Sequence, residues 1–182
     1  DAHQHILPNN ALPVVEVRRG GDVTLHAPGQ WVAYPIIRLD PERQDLLDHM
    51  RRLERAVMKT LQVYGIPSQR DDRNTGVWIP NATGLPLKVC SVGIACRKWV
   101  TWHGLALNWS MDMSLYRSLN PCGFSSDIMT RAQDWLKEPV DAQAVRETLS
   151  QSLVESLSLR SPKTHTVSSA NLGQLPEFLA NL

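Results

Sequence analysis

The chain has 182 residues, which at a soft prior of about 150 per domain suggests one domain, and its 42% hydrophobic content is ample for a globular core. Nineteen Lys and Arg against eighteen Asp and Glu leave a net charge of +1, so no charge excess marks a nucleic-acid footprint or an electrostatic membrane anchor. Three cysteines without a CxxC pair fit neither a disulfide scaffold nor a Cys-rich zinc site and favour a reducing compartment; without a membrane-length apolar run or a signal peptide, a soluble chain is expected. Residue 1 is Asp1 rather than Met, as in a processed product or a fragment.

In chain order, Leu12 to Val17 reads as a β-branched strand, Arg19 to Gln30 as a Gly/Pro loop enclosing Val23-Thr24-Leu25, and Trp31 to Leu39 as a second strand. Asp40-Pro41-Glu42 opens a helix whose apolar positions Leu46, Met50, Leu53, Val57, Leu61 and Tyr64 recur every three or four residues up to Gly65. Asp48, Arg51, Arg52, Glu54, Arg55 and Lys59 form its solvated face. Gly76 to Ile79 and Lys88 to Cys96 read as strands joined by a Pro80 to Leu85 hairpin loop, and a further strand runs from Leu105 to Trp109 after His103-Gly104. Asp141 caps a last helix with the stripe Ala144, Val145, Leu149, Leu153, Val154 and Leu157, and the Ser/Thr/Asn-rich stretch after Arg160 reads as a loosely ordered tail. The pattern predicts an α+β fold, a mixed, largely antiparallel sheet packed with helices.

Chemistry concentrates in three places. The loop Arg19 to Gln30 packs glycines beside Arg19 and His26, which suits either ligand contact or tight turns in which Asp22 and Thr24 satisfy backbone amides; no Gly-Lys-Ser/Thr ends it, so it is not a P-loop. Cys122 stands between Pro121 and Gly123 at a turn, a place for a reactive thiol, with Lys88 and His103 as candidate cations to favour the thiolate. Cys90 and Cys96 alternate with apolar residues and read as core. Lys88 begins an apolar strand, where snorkelling to solvent is the plainest account, and His103 could equally be a structural histidine. His3, His5, His49 and His165 look less purposeful. No set of His, Cys, Asp or Glu has metal-ligand spacing, so no metal is expected, and the six tryptophans read as core or groove lining.

Together, Arg19 to Gln30, Tyr34-Pro35-Ile36-Ile37, Thr75-Gly76-Val77-Trp78, Lys88 with Ser91 to Ile94, His103 to Asn108 and Pro121-Cys122-Gly123 resemble the ordered motif series of the lipoyl(octanoyl) transferases, over about residues 12 to 157. The resemblance implies the α+β fold shared with lipoate-protein and biotin-protein ligases. It also implies transfer of an octanoyl group from octanoyl-acyl carrier protein to a lysine of lipoyl domains, those of 2-oxoacid dehydrogenase E2 subunits and of the glycine cleavage H protein. No cofactor, nucleic acid or membrane enters that reaction.

Cys122 would carry the acyl chain as a thioester, and Lys88 would lower its pKa and shuttle protons. The acyl-binding segments would be Arg19, Gly20, Gly21 and Asp22, then Val23, Thr24, Leu25 and His26, with Ser91, Val92 and Gly93 on one strand and Gly104, Leu105 and Ala106 on another. Leu25, Ala27 and Trp31 depart from the family's usual Tyr, Gly and Leu, and the loop before Lys88 is long; these bear on chain length and loop shape rather than reaction class. Against the family pattern, residues 1–160 read as a catalytic domain without its first strand-helix-strand unit and 161–182 as the tail. Alternatives from other classes are an ATP-dependent lipoate-protein ligase-like enzyme and a non-catalytic remnant that binds lipoyl domains. The expected location is cytoplasmic, or mitochondrial or plastid in a eukaryote.

Overall fold

The computed structural model describes residues 2–71, 74–82, 84–120, 125–160, 163, 164 and 166, with backbone only at 2 and 3. Among these, six strands form one sheet: β1 (Gln30–Ala33), β2 (Ile37–Arg38), β3 (Gln69–Asp71), β4 (Asn74–Ile79), β5 (Leu87–Arg97) and β6 (Val100–Asn108). The order is β1-β6-β5-β4-β3, with β2 beside β1 on the same edge of β6, and every strand pairing is antiparallel. Helices α1 (Leu46–Val63) and α2 (Ala142–Leu157) pack on one face. The structure is thus α+β, as the periodicities imply.

The sheet is built around the β5–β6 hairpin. Its two-residue turn, Lys98-Trp99, has φ of 50° and 61°, the doubly left-handed turn whose twist matches that of the flanking strands. In α1 the apolar stripe lies where the spacing puts it: Leu53, Val57 and Leu61 are fully buried against Val77, Ile79 and Val89 of the sheet and Val145 and Leu149 of α2. Each such side chain contributes roughly 1.5–3 kcal/mol. A second cluster, Leu25, Met111, Tyr116, Leu119 and Met129, stands apart from this core. No helix among the described residues is long and apolar enough to cross a membrane.

Four local expectations change. Leu12 to Val17 forms no strand; Val14, Val15 and Val17 are exposed. β-Branched residues favour a ladder only where they find a partner strand, and this segment pairs with none of the six strands. The strand foreseen over Trp31 to Leu39 is two short ones, because Pro35 brings no N–H to the ladder. Pro41–Arg43 is an isolated 3-10 turn, and Asp45 caps α1, its Oδ1 accepting from the backbone N–H of Leu47 (2.8 Å) and Asp48 (3.0 Å). Finally, Glu54 is completely buried rather than solvated: it sits next to Leu53, on a flank of α1 turned towards β4, where its Oε1 accepts the Gly76 N–H at 2.8 Å.

Candidate functional site

Opposite the helices, the sheet carries a groove of about 400 Å³. Its floor is made by two cross-strand pairs of small residues, Ser91 with Ala106 and Gly93 with Gly104. Residues two apart on a strand share a face, so four positions with little or no side chain line up in one place and leave a slot. Small size is enforced at Gly104 and favoured at Gly93. A Cβ on Gly104 would stand 2.4 Å from the Ala33 carbonyl oxygen, and one on Gly93 would stand 3.0 Å from that of Gly20.

Lys88 reaches this groove because β5 slips against β4. Val77 pairs with Cys90 but the next residue, Trp78, pairs with Lys88, leaving Val89 as an extra residue. Val89 and Cys90 are consequently both buried in the main core, and the alternation before them is reversed. Without that slip Lys88 would share the core-facing side of Cys90; with it, the lysine lies on the groove side with Ser91 and Gly93. Lys88 is only 5% exposed, so it does not snorkel to solvent. Its Nζ lies over the Trp78 ring, 5.3 Å from the centroid.

The loop Arg19 to Gln30 forms the opposite wall. Arg19 Nη1 donates to the carbonyls of Asp22 (2.7 Å) and Gly20 (3.1 Å), and Asp22 Oδ1 accepts from the Val23 N–H (2.7 Å). The Gly20 N–H donates to the Ile94 carbonyl and tethers the loop to β5. At the far end, Gln30 accepts from the Ala27 N–H and donates to the Leu25 carbonyl and to Asn108 Oδ1. Asp22 therefore satisfies a backbone amide, as one of the two sequence readings has it, while the same loop borders a cavity.

Of the expected binding residues, Arg19, Gly21, Asp22, Val23, Thr24 and His26 line the groove from this loop. Ser91, Val92 and Gly93 do so from β5, and Gly104, Leu105 and Ala106 from β6. Gly20 serves as a tether behind the wall, and the Leu25 side chain turns into the second apolar cluster. Tyr34, Asn74 and Thr75 also line it without having been singled out for contact, although the motifs that contain Tyr34 and Thr75 were legible.

At the rim, Tyr34 OH lies 3.1 Å from His26 Nε2, and the Tyr34 ring meets His103 edge-on at 5.3 Å. Burial holds His26 below the ordinary histidine value; the Gln30 hydrogen bond opposes this, and Arg19 and His103 add to it. His103 is lowered by burial and by Arg19. Burial raises the Tyr34 phenol, with Arg19 opposing. His26, His103 and Lys88 line the same groove, and histidines lowered in this way are suited to accept and pass protons.

Cys122, with Pro121 and Gly123, lies outside the described residues. The described chain on either side of it is tied, directly or through one residue, to residues that line the groove. The Asn120 N–H donates to the His5 carbonyl, and the His5 ring pairs with Asp22 of the loop, a role that its place near the start of the sequence does not suggest. Downstream, Met129 bridges Lys88 and the Thr130 N–H donates to the Lys88 carbonyl at 2.9 Å. The other thiols are differently placed. Cys90 is fully buried and pushed up to about 12 by desolvation, against the opposing pull of Lys88, and Cys96 is half-buried near the hairpin turn. No cluster of three His, Cys, Asp or Glu that could hold a metal occurs among the described residues.

A family model described as the lipoyl protein ligase A/B catalytic domain matches residues 3–154. Curated relatives named octanoyltransferase include one from Coxiella burnetii, 36% identical over 80% of this chain and 58% of its own length. Others are from Christiangramia forsetii, 38% identical over 74% of this chain and 58% of its own length, and Bacteroides fragilis, 37% identical over 78% and 64%. The chain thus spans about three fifths of the length of these relatives. Among solved structures, a lipoate-protein ligase A bound with ATP superposes with a TM-score of 0.65 at 19% identity, over 90% of this chain and 64% of its own. A bi-partite lipoate protein ligase from Thermoplasma acidophilum, described with its E2 lipoyl domain, gives 0.63 at 19% identity, over 90% and 63%. At such identities the structures speak to fold alone.

Proposed function

The chain belongs to the lipoyl protein ligase A/B catalytic domain family, and from that premise we propose that its groove transfers an octanoyl group from octanoyl-acyl carrier protein to a lysine of a lipoyl domain through a thioester on Cys122. The observation that carries the reading is the placement of Lys88: a buried ammonium on the groove side of β5, whose carbonyl anchors the segment downstream of Cys122, in a chain 36–38% identical to octanoyltransferases. A thioester donor is already activated. The Cys122 thiolate attacks its carbonyl carbon, a new C–S bond forms, the bond to the donor sulfur breaks, and the departing thiolate takes a proton relayed by Lys88. The acceptor amine then attacks the acyl-enzyme, the amide forms, and Cys122 leaves as thiolate while the surplus amine proton passes to a base of the site.

Small residues on the floor suit an extended acyl chain, and backbone N–H groups at Ser91 to Gly93 and at the loop are the candidates for holding the carbonyl oxygen as charge develops, a contribution typically worth on the order of a hundredfold or more in rate. The acceptors are lipoyl domains of E2 subunits and of the H protein, and the location is cytoplasmic, both by the same resemblance. Purified protein, octanoyl-acyl carrier protein and an apo lipoyl domain, without ATP, should yield octanoylated domain. Product that forms only from free octanoate and ATP would make the chain a ligase instead, and no product from either donor would leave a non-catalytic binding domain.

A further inference from the structure

An ionised carboxylate is costly to bury and, merely as a stabilising pair, gains little over an apolar residue of similar size. Glu54 is nonetheless 0% exposed in the middle of α1. Its Oε2 meets Arg51 Nη1 at 2.9 Å and Arg70 Nε at 3.3 Å, so the charge is balanced from the helix and from β3. Its other oxygen, Oε1, accepts the backbone N–H of Gly76 at 2.8 Å.

Gly76 lies in a stretch of β4 where the pairing is irregular on both sides. Pairing slips on the β5 side between Val77 and Trp78, and on the β3 side between Gln69 and Asp71. The φ of Gly76 is +131°, and a Cβ there would stand 2.8 Å from Lys88 Cε and 2.4 Å from the Cys90 carbonyl oxygen. The bare face of this glycine is therefore the surface along which the Lys88 stem runs, with the Trp78 ring under its ammonium. A continuous set of contacts links the helix to the lysine: Glu54, the Gly76 N–H, the Lys88 stem.

We propose that Glu54 is a positioning residue for Lys88, acting through its hydrogen bond to Gly76 rather than through its charge. The helix carboxylate supplies, at an irregular point of the sheet, the anchor that a ladder would otherwise give. The inference rests on the reading that Lys88 serves the Cys122 thiolate. Two replacements separate reach from charge: E54D keeps the charge between Arg51 and Arg70 but withdraws the acceptor from Gly76 by a methylene, whereas E54Q keeps an acceptor at full reach without the charge.

The test is single-turnover acylation of Cys122 by octanoyl-acyl carrier protein, with the steady-state KM for the donor and the pH midpoint of Cys122 alkylation by iodoacetamide. Misplacing a reacting group by about an ångström costs up to roughly 100-fold. E54D should slow acylation by about tenfold or more, leave the donor KM within about threefold, and move the alkylation midpoint towards that of K88A, while E54Q should retain a rate within about threefold of the parent. Should E54D fold poorly, E54Q decides the matter, because it keeps the acceptor for the Gly76 N–H and must therefore keep the parental rate and alkylation midpoint. Parental kinetics in folded E54D, or E54Q slowed as much as E54D, would overturn the proposal. K88A kinetics equal to the parent's would instead overturn the role given to Lys88, whatever Glu54 does.

Discussion

Replacing Asn108 by leucine tests how the groove wall is held. Asn108 is 1% exposed at the end of β6. Its Oδ1 accepts from Gln30 Nε2 at 2.8 Å and from Tyr116 OH at 3.3 Å, while its Nδ2 donates to the Thr130 carbonyl at 3.0 Å. One side chain therefore ties together the loop that carries His26, the second apolar cluster and the segment that runs beside Lys88. Leucine has the same number of side-chain heavy atoms and the same branching, so the loss falls on the hydrogen bonds, and crowding by its bulkier methyl groups can only add to the cost. At about 1 kcal/mol for each of the three, and more where a buried partner is left unsatisfied, the cost is roughly 3 kcal/mol. For a chain of this size that lowers the melting temperature by about 6–12 °C. Thermal unfolding followed by circular dichroism measures it, with the exposed, merely helix-spanning Gln143→Ala as a control expected to stay within about 0.5 kcal/mol. An Asn108→Leu protein that melts within about 2 °C of the parent would refute this account of the wall.

Three further outcomes are expected. Gly104→Ala should abolish octanoyl transfer and destabilise the fold, because its Cβ would stand 2.4 Å from the Ala33 oxygen and 2.8 Å from Pro35 Cδ; activity assay and thermal melt together check this, and a parental value of both would contradict it. The Cys90 thiol, raised to about 12 from 9.0, keeps its proton in the folded protein after the unfolded chain has lost it. Stability should thus be full below about pH 9 and fall as pH rises from there towards 12, a decline that Cys90→Ala should reduce in urea titrations at successive pH. His26 and His103, both lowered from 6.5 mainly by burial, contribute stability above that pH that is lost on acidification through their folded values. NMR titration should place both midpoints below 6.5, and midpoints above it would contradict the burial.

The two helices and the strand β5 are legible because each rests on a local rule, apolar spacing in α1 and α2 and alternation in β5, while most of the groove lining is legible only through the family resemblance; β6, expected from Leu105, begins at Val100 after the Lys98-Trp99 turn. What escaped depends on neighbours distant in sequence. A strand over Leu12 to Val17 needs a partner strand, which no local propensity can report. Glu54 looks solvated on a helical wheel because the wheel does not show Gly76 arriving beside it. The placement of Lys88 turns on one extra residue in β5, Val89, whose effect is to reverse which face each preceding side chain takes. His5 gained its place from pairing with Asp22, seventeen residues on. Tyr34, inside a quoted motif, was legible as family pattern but not as the partner of two histidines.

The central claim is that Cys122 and Lys88 serve one acyl-transfer groove. Intact-protein mass spectrometry after incubation with octanoyl-acyl carrier protein alone tests it most directly. The account predicts a gain of one octanoyl group that hydroxylamine removes, that is absent in Cys122→Ala, and that forms more slowly in Lys88→Ala. A stable adduct that persists undiminished in Cys122→Ala, or no adduct in the parent protein, would contradict it.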